Sequence, residues 1–297
     1  MGDTHRFRAG GKVFDLGPRA WLVGVVNVTP DSFFDGGLYF EPARAIERAL
    51  ALAAEGADII DIGGESSRPG SSPVPAKDEK KRILPVIEVL KQKKDVLISV
   101  DTSKAEVAET ALAAGADIIN DISAGRFDPG MLPLIGRSGA GLILMHMKGT
   151  PRTMQLAPHY DDVVGEVKKF LGDRLEAAIS FGVPPENIIL DPGIGFGKTL
   201  EHNLTLLNSL GSLAELGRPL IIGVSRKSFI GQLLEVETQD RLEGTIAASI
   251  VGLLRGASLL RVHDIQAMKR AVTVAEAILF QGAFRLPSEG KGKPYVQ

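Results

Sequence analysis

Polar side chains suited to holding a charged ligand recur at one place in this chain, just after each short apolar run. In order they are Asn27; Glu65 with Ser67 and Arg68; Asp101; Asn120 and Asp121; His146; Asp191; Ser225, Arg226 and Lys227; and Arg261 with His263. Asp, Asn and Ser in such places also cap helix N-termini, so any one of them alone is explained as well by capping as by function. Capping does not account for Arg68, Lys227 and Arg261, whose side chains carry only donors. Cations converging on one mouth point to an anionic ligand.

The stretch LDPGIGFGKT at 190–199 nearly matches a phosphate-binding loop, but Pro192 stands where the first glycine is needed. Its glycines are read instead as letting the backbone pass close beneath a planar ligand. Phe196 on that loop either contacts the ligand's neighbour or simply packs. The histidines are His5, His146, His159, His202 and His263, with no HExxH and no paired zinc spacing. His202 opens a helix and is read as solvated. His146, inside LMHM, is either a hydrogen-bonded core residue or catalytic. His263 follows Arg261 by two residues, so strand alternation points both the same way.

What must position these groups is a repeated unit: apolar run, polar or glycine-rich stretch, then helical pattern. Eight apolar runs fall at 21–26, 58–62, 96–100, 117–119, 141–145, 188–190, 220–224 and 258–260. Their continuous rather than alternating apolar character indicates parallel strands buried on both faces. Helical patterns lie at 42–55, 76–91, 104–113, 129–137, 161–181, 200–210, 241–255 and 265–280. Gly56, Gly115, Gly139, Gly182, Gly217 and Gly256 stand where these helices end, as expected for left-handed C-caps. GADIIDIG at 56–63 is echoed by GADIINDI at 115–122 and faintly by GASLLRV at 256–262. The expected fold is a (β/α)8 TIM barrel, with an open Rossmann-type sheet as the competitor. In such a barrel, residues just past the strand ends share one pocket, and loops after strands seven and eight often bind phosphate.

Residues 5–15 (HRFRAGGKVFD) read as a hairpin plugging the barrel bottom. The expected organisation is an extension at 1–18, a barrel at 19–281 and a loose Gly/Pro/Lys-rich tail at 282–297. Loops 27–40 and 63–75 are long enough to act as lids. With 34 basic and 36 acidic residues, no broad cationic field exists to attract nucleic acid or a membrane surface. The absence of cysteine excludes disulfides, thiolate metal sites and a cysteine nucleophile, and fits a cytoplasmic protein. No apolar run approaches the roughly 18 residues of a membrane helix.

The blocks GVVNVTPDSFFDGG (24–37), GGESSRPGS (63–71), SVDTSK (99–104), INDIS (119–123), LMHMKGTPRTMQ (144–155), LDPGIGFGKT (190–199), GVSRKSFIG (223–231) and RVHD (261–264) occur in this order. By them the chain resembles the dihydropteroate synthase family of pterin-binding barrels, over about residues 22–280. That resemblance implies condensation of a dihydropterin methyl diphosphate with p-aminobenzoate, releasing diphosphate. It assigns Asp101, Asn120, Asp191 and Lys227 to the pterin, whose amino-pyrimidinone edge suits a carboxylate. It assigns Asn27, Ser67, Arg261 and His263 to the diphosphate, with Asn27 also on Mg2+. Serine at 67 replaces the family's commoner threonine and keeps the hydroxyl. Phe33, Asp35, Arg68, Pro69, Phe196 and Ser225 would order p-aminobenzoate. Asp101, Lys227, Arg261 and His263 would be catalytic, with Asp101 stabilising a cation-like pterin methylene and Arg261, His263 and magnesium the departing anion.

Three rivals compete. A methyltetrahydrofolate:corrinoid methyltransferase would share the pterin residues but needs no diphosphate site. A non-catalytic pterin-binding protein would release no diphosphate. A generic phosphate-binding barrel, such as an aldolase or isomerase, would usually place a Schiff-base lysine or a carboxylate base within the barrel, and Lys148 and Lys227 are the strand-end lysines. Alanine and leucine in helices 241–255 and 265–280 suit a homodimer face.

Overall fold

A run apolar at every position is stable as a strand only where both faces are covered, and each of the eight runs does become a strand of one sheet. The computed structural model describes residues 5–17, 19–29, 42–93 and 96–279. Two short strands come first, β1 (His5–Ala9) and β2 (Lys12–Leu16), then β3 (Trp21–Asn27), α1 (Pro42–Glu55), β4 (Ile59–Gly63), α2 (Ala76–Lys93), β5 (Leu97–Asp101) and α3 (Ala105–Ala114). The chain continues through β6 (Ile118–Asp121), α4 (Met131–Ser138), β7 (Gly141–Met145), α5 (Val163–Ser180), β8 (Ile188–Asp191), α6 (Leu200–Asn208) and α7 (Leu210–Ala214). It ends with β9 (Ile221–Ile222), α8 (Ser228–Leu234), α9 (Leu242–Leu254), β10 (Leu259–Val262) and α10 (Ile265–Leu279).

The parallel order is β8-β7-β6-β5-β4-β3-β10-β9. A single bridge between Leu190 and Leu220 brings the ends together, so the sheet closes as a barrel. The Rossmann alternative is thereby excluded. All six glycines expected at helix ends have positive φ, for example 111° at Gly115, whose amide bonds back to Ala111 and Leu112. The helix expected over 200–210 divides at Ser209 into α6 and α7, and α8 is an element the apolar pattern did not disclose.

Strand pleating sorts the core into two parts. Leu22, Ile60, Ile98, Ile119, Leu142 and Leu190 face outward into the large cluster beneath the helices. Val23, Ile59, Leu97, Ile118, Ile143, Ile189, Ile221 and Leu259 face inward and form one layer across the barrel. The antiparallel β1–β2 hairpin inserts Phe7, Ala9 and Leu16 into that layer, so it does plug the barrel. Gly141 makes room for it, since a Cβ there would stand 2.9 Å from the Phe7 ring and 3.0 Å from Ile118. No helix among the described residues is long and apolar enough to cross a membrane.

Phe7 is fully buried at the end opposite the polar strand tips. Phe7→Ala should therefore cost about 3–5 kcal/mol in urea unfolding. Unaltered binding of ligand at the other end would separate the plug from the site, and a loss below about 1 kcal/mol would show that the hairpin does not support the barrel.

Candidate functional site

Counting upward by twos from the inward apolar layer leads to a polar residue on most strands, because successive side chains on one face are two residues apart. Ile59 leads to Asp61, Leu97 through Ser99 to Asp101, Ile118 to Asn120, Ile189 to Asp191 and Leu259 through Arg261 to His263. Val23 leads through Val25 to Asn27, and Ile221 through Gly223 to Ser225. Register aligns the upper members, since Asn27 pairs with Gly63, Gly63 with Asp101 and Asp101 with Asn120. The barrel thus passes from an apolar floor to a polar upper layer.

Arg261 is the hub of that layer. Its Nε donates to Asp61 Oδ2 at 2.7 Å and its Nη2 to Asp101 Oδ2 at 3.0 Å, while Asn120 Nδ2 donates to the same Asp61 oxygen at 3.1 Å. Asp61 is completely buried. Burial pushes the Asp101 carboxyl up to about 7; Arg261 pulls it down, and Asp61 and Glu79 add to the rise. Burial likewise raises Asp191, opposed by Lys227. Lys227 is lowered to about 8, by burial first, with Asp191 opposing the shift and Arg261 adding to it.

Lys227 Nζ donates to the Ile194 carbonyl and lies 4.5 Å from the centre of the Phe196 ring. Phe196 also packs against the buried Met145, Met147 and Met154, as the packing reading expects. The glycine loop itself requires glycine at 193, where φ is 65° and a Cβ would fall 1.8 Å from the His146 carbonyl oxygen.

Ser225 joins the far wall. Its hydroxyl accepts the His263 backbone N–H at 3.2 Å and lies 2.9 Å from His263 Nδ1. Burial and then Arg261 hold His263 down at about 4, so the ring is neutral at pH 7. Arg68 is exposed, yet its charge contributes to the lowering of His263. Ser67 lines a cleft with Asp101, and Pro69 is exposed beside Arg68. Phe33 and Asp35 lie outside the described residues, as do 30–40 of the first long loop and the 282–297 tail.

Other polar residues near the strand ends are spent elsewhere. Asp121 and His146 fall on the outward alternation: Asp121 accepts the amides of Ser123 and Gly125, and His146 packs edge-on against Phe170, ring centres 4.8 Å apart. Arg226 turns away to Asp264, with bonds of 2.9 and 3.0 Å. Lys148 pairs with Glu166 at 3.1 Å. His202 is half-buried rather than solvated, accepting the Thr199 amide in a capping box.

Two buried charged side chains escaped the reading of strand ends. Asp61 lies inside its strand, and only the two-residue alternation within DIIDI could have found it. Lys198 is buried and donates to the Gly193 and Phe196 carbonyls at 2.9 and 3.1 Å, with His146 Nδ1 at 2.9 Å. Burial drives its ammonium well below the usual lysine range.

The fold and site define a barrel enzyme whose chemistry sits at the carboxyl ends of parallel strands, where buried carboxylates and cations share one pocket. Residues 23–263 match the family model described as pterin binding enzyme. A dihydropteroate synthase from Synechocystis sp. is 47% identical over 91% of this chain and 93% of its own. The Xanthomonas albilineans dihydropteroate synthase solved with 4-aminobenzoic acid superposes with TM-score 0.88 at 45% identity, covering 94% of this chain and 99% of that one. The same enzyme in complex with 7,8-dihydropteroate gives 0.83 at 43% identity, over 93% and 99%. The chain belongs to the pterin-binding enzymes and, within them, to the dihydropteroate synthases. Membership of that branch selects condensation over corrinoid methyl transfer or binding without turnover.

Asp61→Ala would remove one carboxylate from a largely buried guanidinium while leaving Asp101 in place. The expected loss is about 3 kcal/mol of unfolding free energy, at the low end for a broken buried pair. A change below about 0.5 kcal/mol would mean that Arg261 does not depend on Asp61.

Proposed function

We propose that this pocket condenses (7,8-dihydropterin-6-yl)methyl diphosphate with p-aminobenzoate to give 7,8-dihydropteroate and diphosphate. The observation that carries the reading is the in-register layer of Asp101 and Asn120 tied to Arg261, with Asp191 and Lys227 on the adjoining wall. Asp101, Asn120, Asp191 and Lys227 supply the donors and acceptors that an amino-pyrimidinone edge needs. Arg261, Ser67 and His263 face the departing diphosphate. Arg68, Pro69, Phe196 and Ser225, with Phe33 and Asp35, order p-aminobenzoate.

The donor set fits magnesium held chiefly by substrate oxygens and water. Asn27 would hold it: its amide oxygen lies 3.8 Å from where a Gly63 Cβ would stand, beside Asp101. When bound, the metal would lessen the negative charge on the leaving group.

The carbon–oxygen bond to diphosphate breaks as positive charge spreads into the pterin ring, and the arylamine nitrogen then bonds the methylene carbon and loses a proton. Asp101 stabilises the developing cation electrostatically, while Arg261 and His263 stabilise the anion. No nucleophilic side chain is required. Half-buried Lys227 makes its contacts with Phe196 and Ile194, an arrangement that suits orientation of the ring better than a Schiff base.

We assign 1–18 to the hairpin extension, 19–281 to the barrel and 282–297 to a tail, and place the enzyme in the cytoplasm. A homodimer through α9 and α10 is supported by exposed Val251, Leu254, Val274 and Ile278, and the sedimentation coefficient of the intact chain reads this directly.

The decisive measurement is diphosphate release with both substrates and magnesium, compared with omission of each. Release that does not depend on p-aminobenzoate would overturn the reading. Asp101 is a carboxylate above about 7 and Lys227 an ammonium below about 8, so kcat/KM should peak between these values and fall on either side. Asp101→Asn should lower kcat about a hundredfold, change pterin affinity far less and abolish the acid limb. Equal losses in kcat and affinity would remove Asp101 from the transition state.

A further inference from the structure

The loop carrying Ser67 and Arg68 stands on a charged cluster at the edge of the pocket. Lys104 Nζ lies 2.5 Å from Glu65 Oε2 and 2.5 Å from Glu79 Oε2. The same Glu65 oxygen accepts the Val74 backbone N–H at 2.8 Å, so one carboxylate spans both ends of the loop. Glu79 belongs to α2; its side chain is 1% exposed, and its other oxygen has no hydrogen-bond partner.

The backbone at the loop's foot is held to the same helix. Arg82 donates to the Gly64 carbonyl at 2.7 Å. A Cβ at Gly64 would stand 2.9 Å from both Glu79 Cγ and Ile83 Cγ2, so only glycine allows this approach. Lys104 arrives from the turn after β5, three residues beyond Asp101. Glu65, Ser67, Glu79, Asp101 and Lys104 all line the same cleft.

We propose that Lys104 is a positioning residue for the reaction: by joining Glu65 to Glu79 it sets where Ser67 and Arg68 stand relative to Asp101. The inference deepens the proposed function and rests on it. An exposed lysine–glutamate pair would contribute little. Here one carboxylate is buried and needs its cation, whereas the other is the hinge of a loop, so the same ammonium has a structural arm and a functional arm. The Glu79 charge also reaches Asp101, where it favours the protonated acid. Lys104 offsets that charge.

The test uses the intact chain, with diphosphate release read against p-aminobenzoate concentration, pterin affinity read by fluorescence titration, and hydrogen exchange followed at the amides of Ser66, Ser67, Arg68, Gly70 and Ser71. Glu65→Ala cuts the functional arm and leaves Lys104 on Glu79. It should raise the KM for p-aminobenzoate about tenfold, keep pterin affinity within about twofold and speed exchange in the loop. Lys104→Met should show the same kinetic split plus a stability loss, and Lys104→Arg should restore the KM to within about threefold. Should Lys104→Met fail to fold, Glu65→Ala decides alone. Unchanged KM and unchanged exchange in Glu65→Ala, or losses of kcat that only track the unfolded fraction, overturn the inference. A wild-type chain that releases no diphosphate overturns the proposed function instead, and loop exchange in Glu65→Ala then still decides whether the clamp exists.

Discussion

Arg261 lies inside the barrel mouth with its guanidinium shared between Asp61 and Asp101, and most of the pocket can be understood from the cost of keeping that charge there. A largely buried cation needs hydrogen-bonded anions around it. Two carboxylates brought close to one another need a cation between them. Each member therefore makes the others tolerable, and Asn120, bonded to the same Asp61 oxygen, is drawn into the set. Asp61 Oδ2, Asp101 Oδ2 and Asn120 Nδ2 are committed in this way, while Asp61 Oδ1 and Asn120 Oδ1 have no hydrogen-bond partner among the described residues. A ligand meets Asp101 poised between its two protonation states, which makes that carboxyl responsive to charge developing beside it.

The apolar floor beneath this layer comes from the same geometry. Inward positions on each strand are filled with Val, Ile and Leu below and with polar groups above, and the hairpin supplies Phe7 and Leu16 where the barrel would otherwise be open. The side chains on the other alternation do structural work: Asp121 holds its own loop, and His146 sits among Phe170, Tyr160 and Lys198. Pleating thus divides superficially similar polar residues at adjacent positions into pocket and scaffold.

The glycine loop after β8 shows how little a local motif says without its surroundings. A phosphate-binding loop turns its N–H groups and its lysine toward the anion. Here the lysine at that place, Lys198, turns inward onto the Gly193 and Phe196 carbonyls, and Lys227, Gln155 and Tyr160 take those of Ile194, Gly195 and Gly197. The loop is a scaffold whose carbonyls are met from all sides. It presents Phe196 and Lys227 together rather than wrapping a phosphate.

Strand existence, their parallel arrangement, the helix ends at glycine and the plugging hairpin were legible in the sequence, because each follows from burial or backbone conformation over a few consecutive residues. So was the presence of polar residues just beyond most strand ends, from Asn27 to His263, although pleating turns Asp121 and His146 to the scaffold side. Which of them meet was decided only in three dimensions. Arg261 finds Asp61 across 200 positions, Ser225 finds His263 across 38, and Lys104 joins Glu65 to Glu79. Nothing local encodes those pairings, because a buried charge is satisfied by whatever lies within a few ångströms, and proximity between distant segments exists only once the sheet has closed.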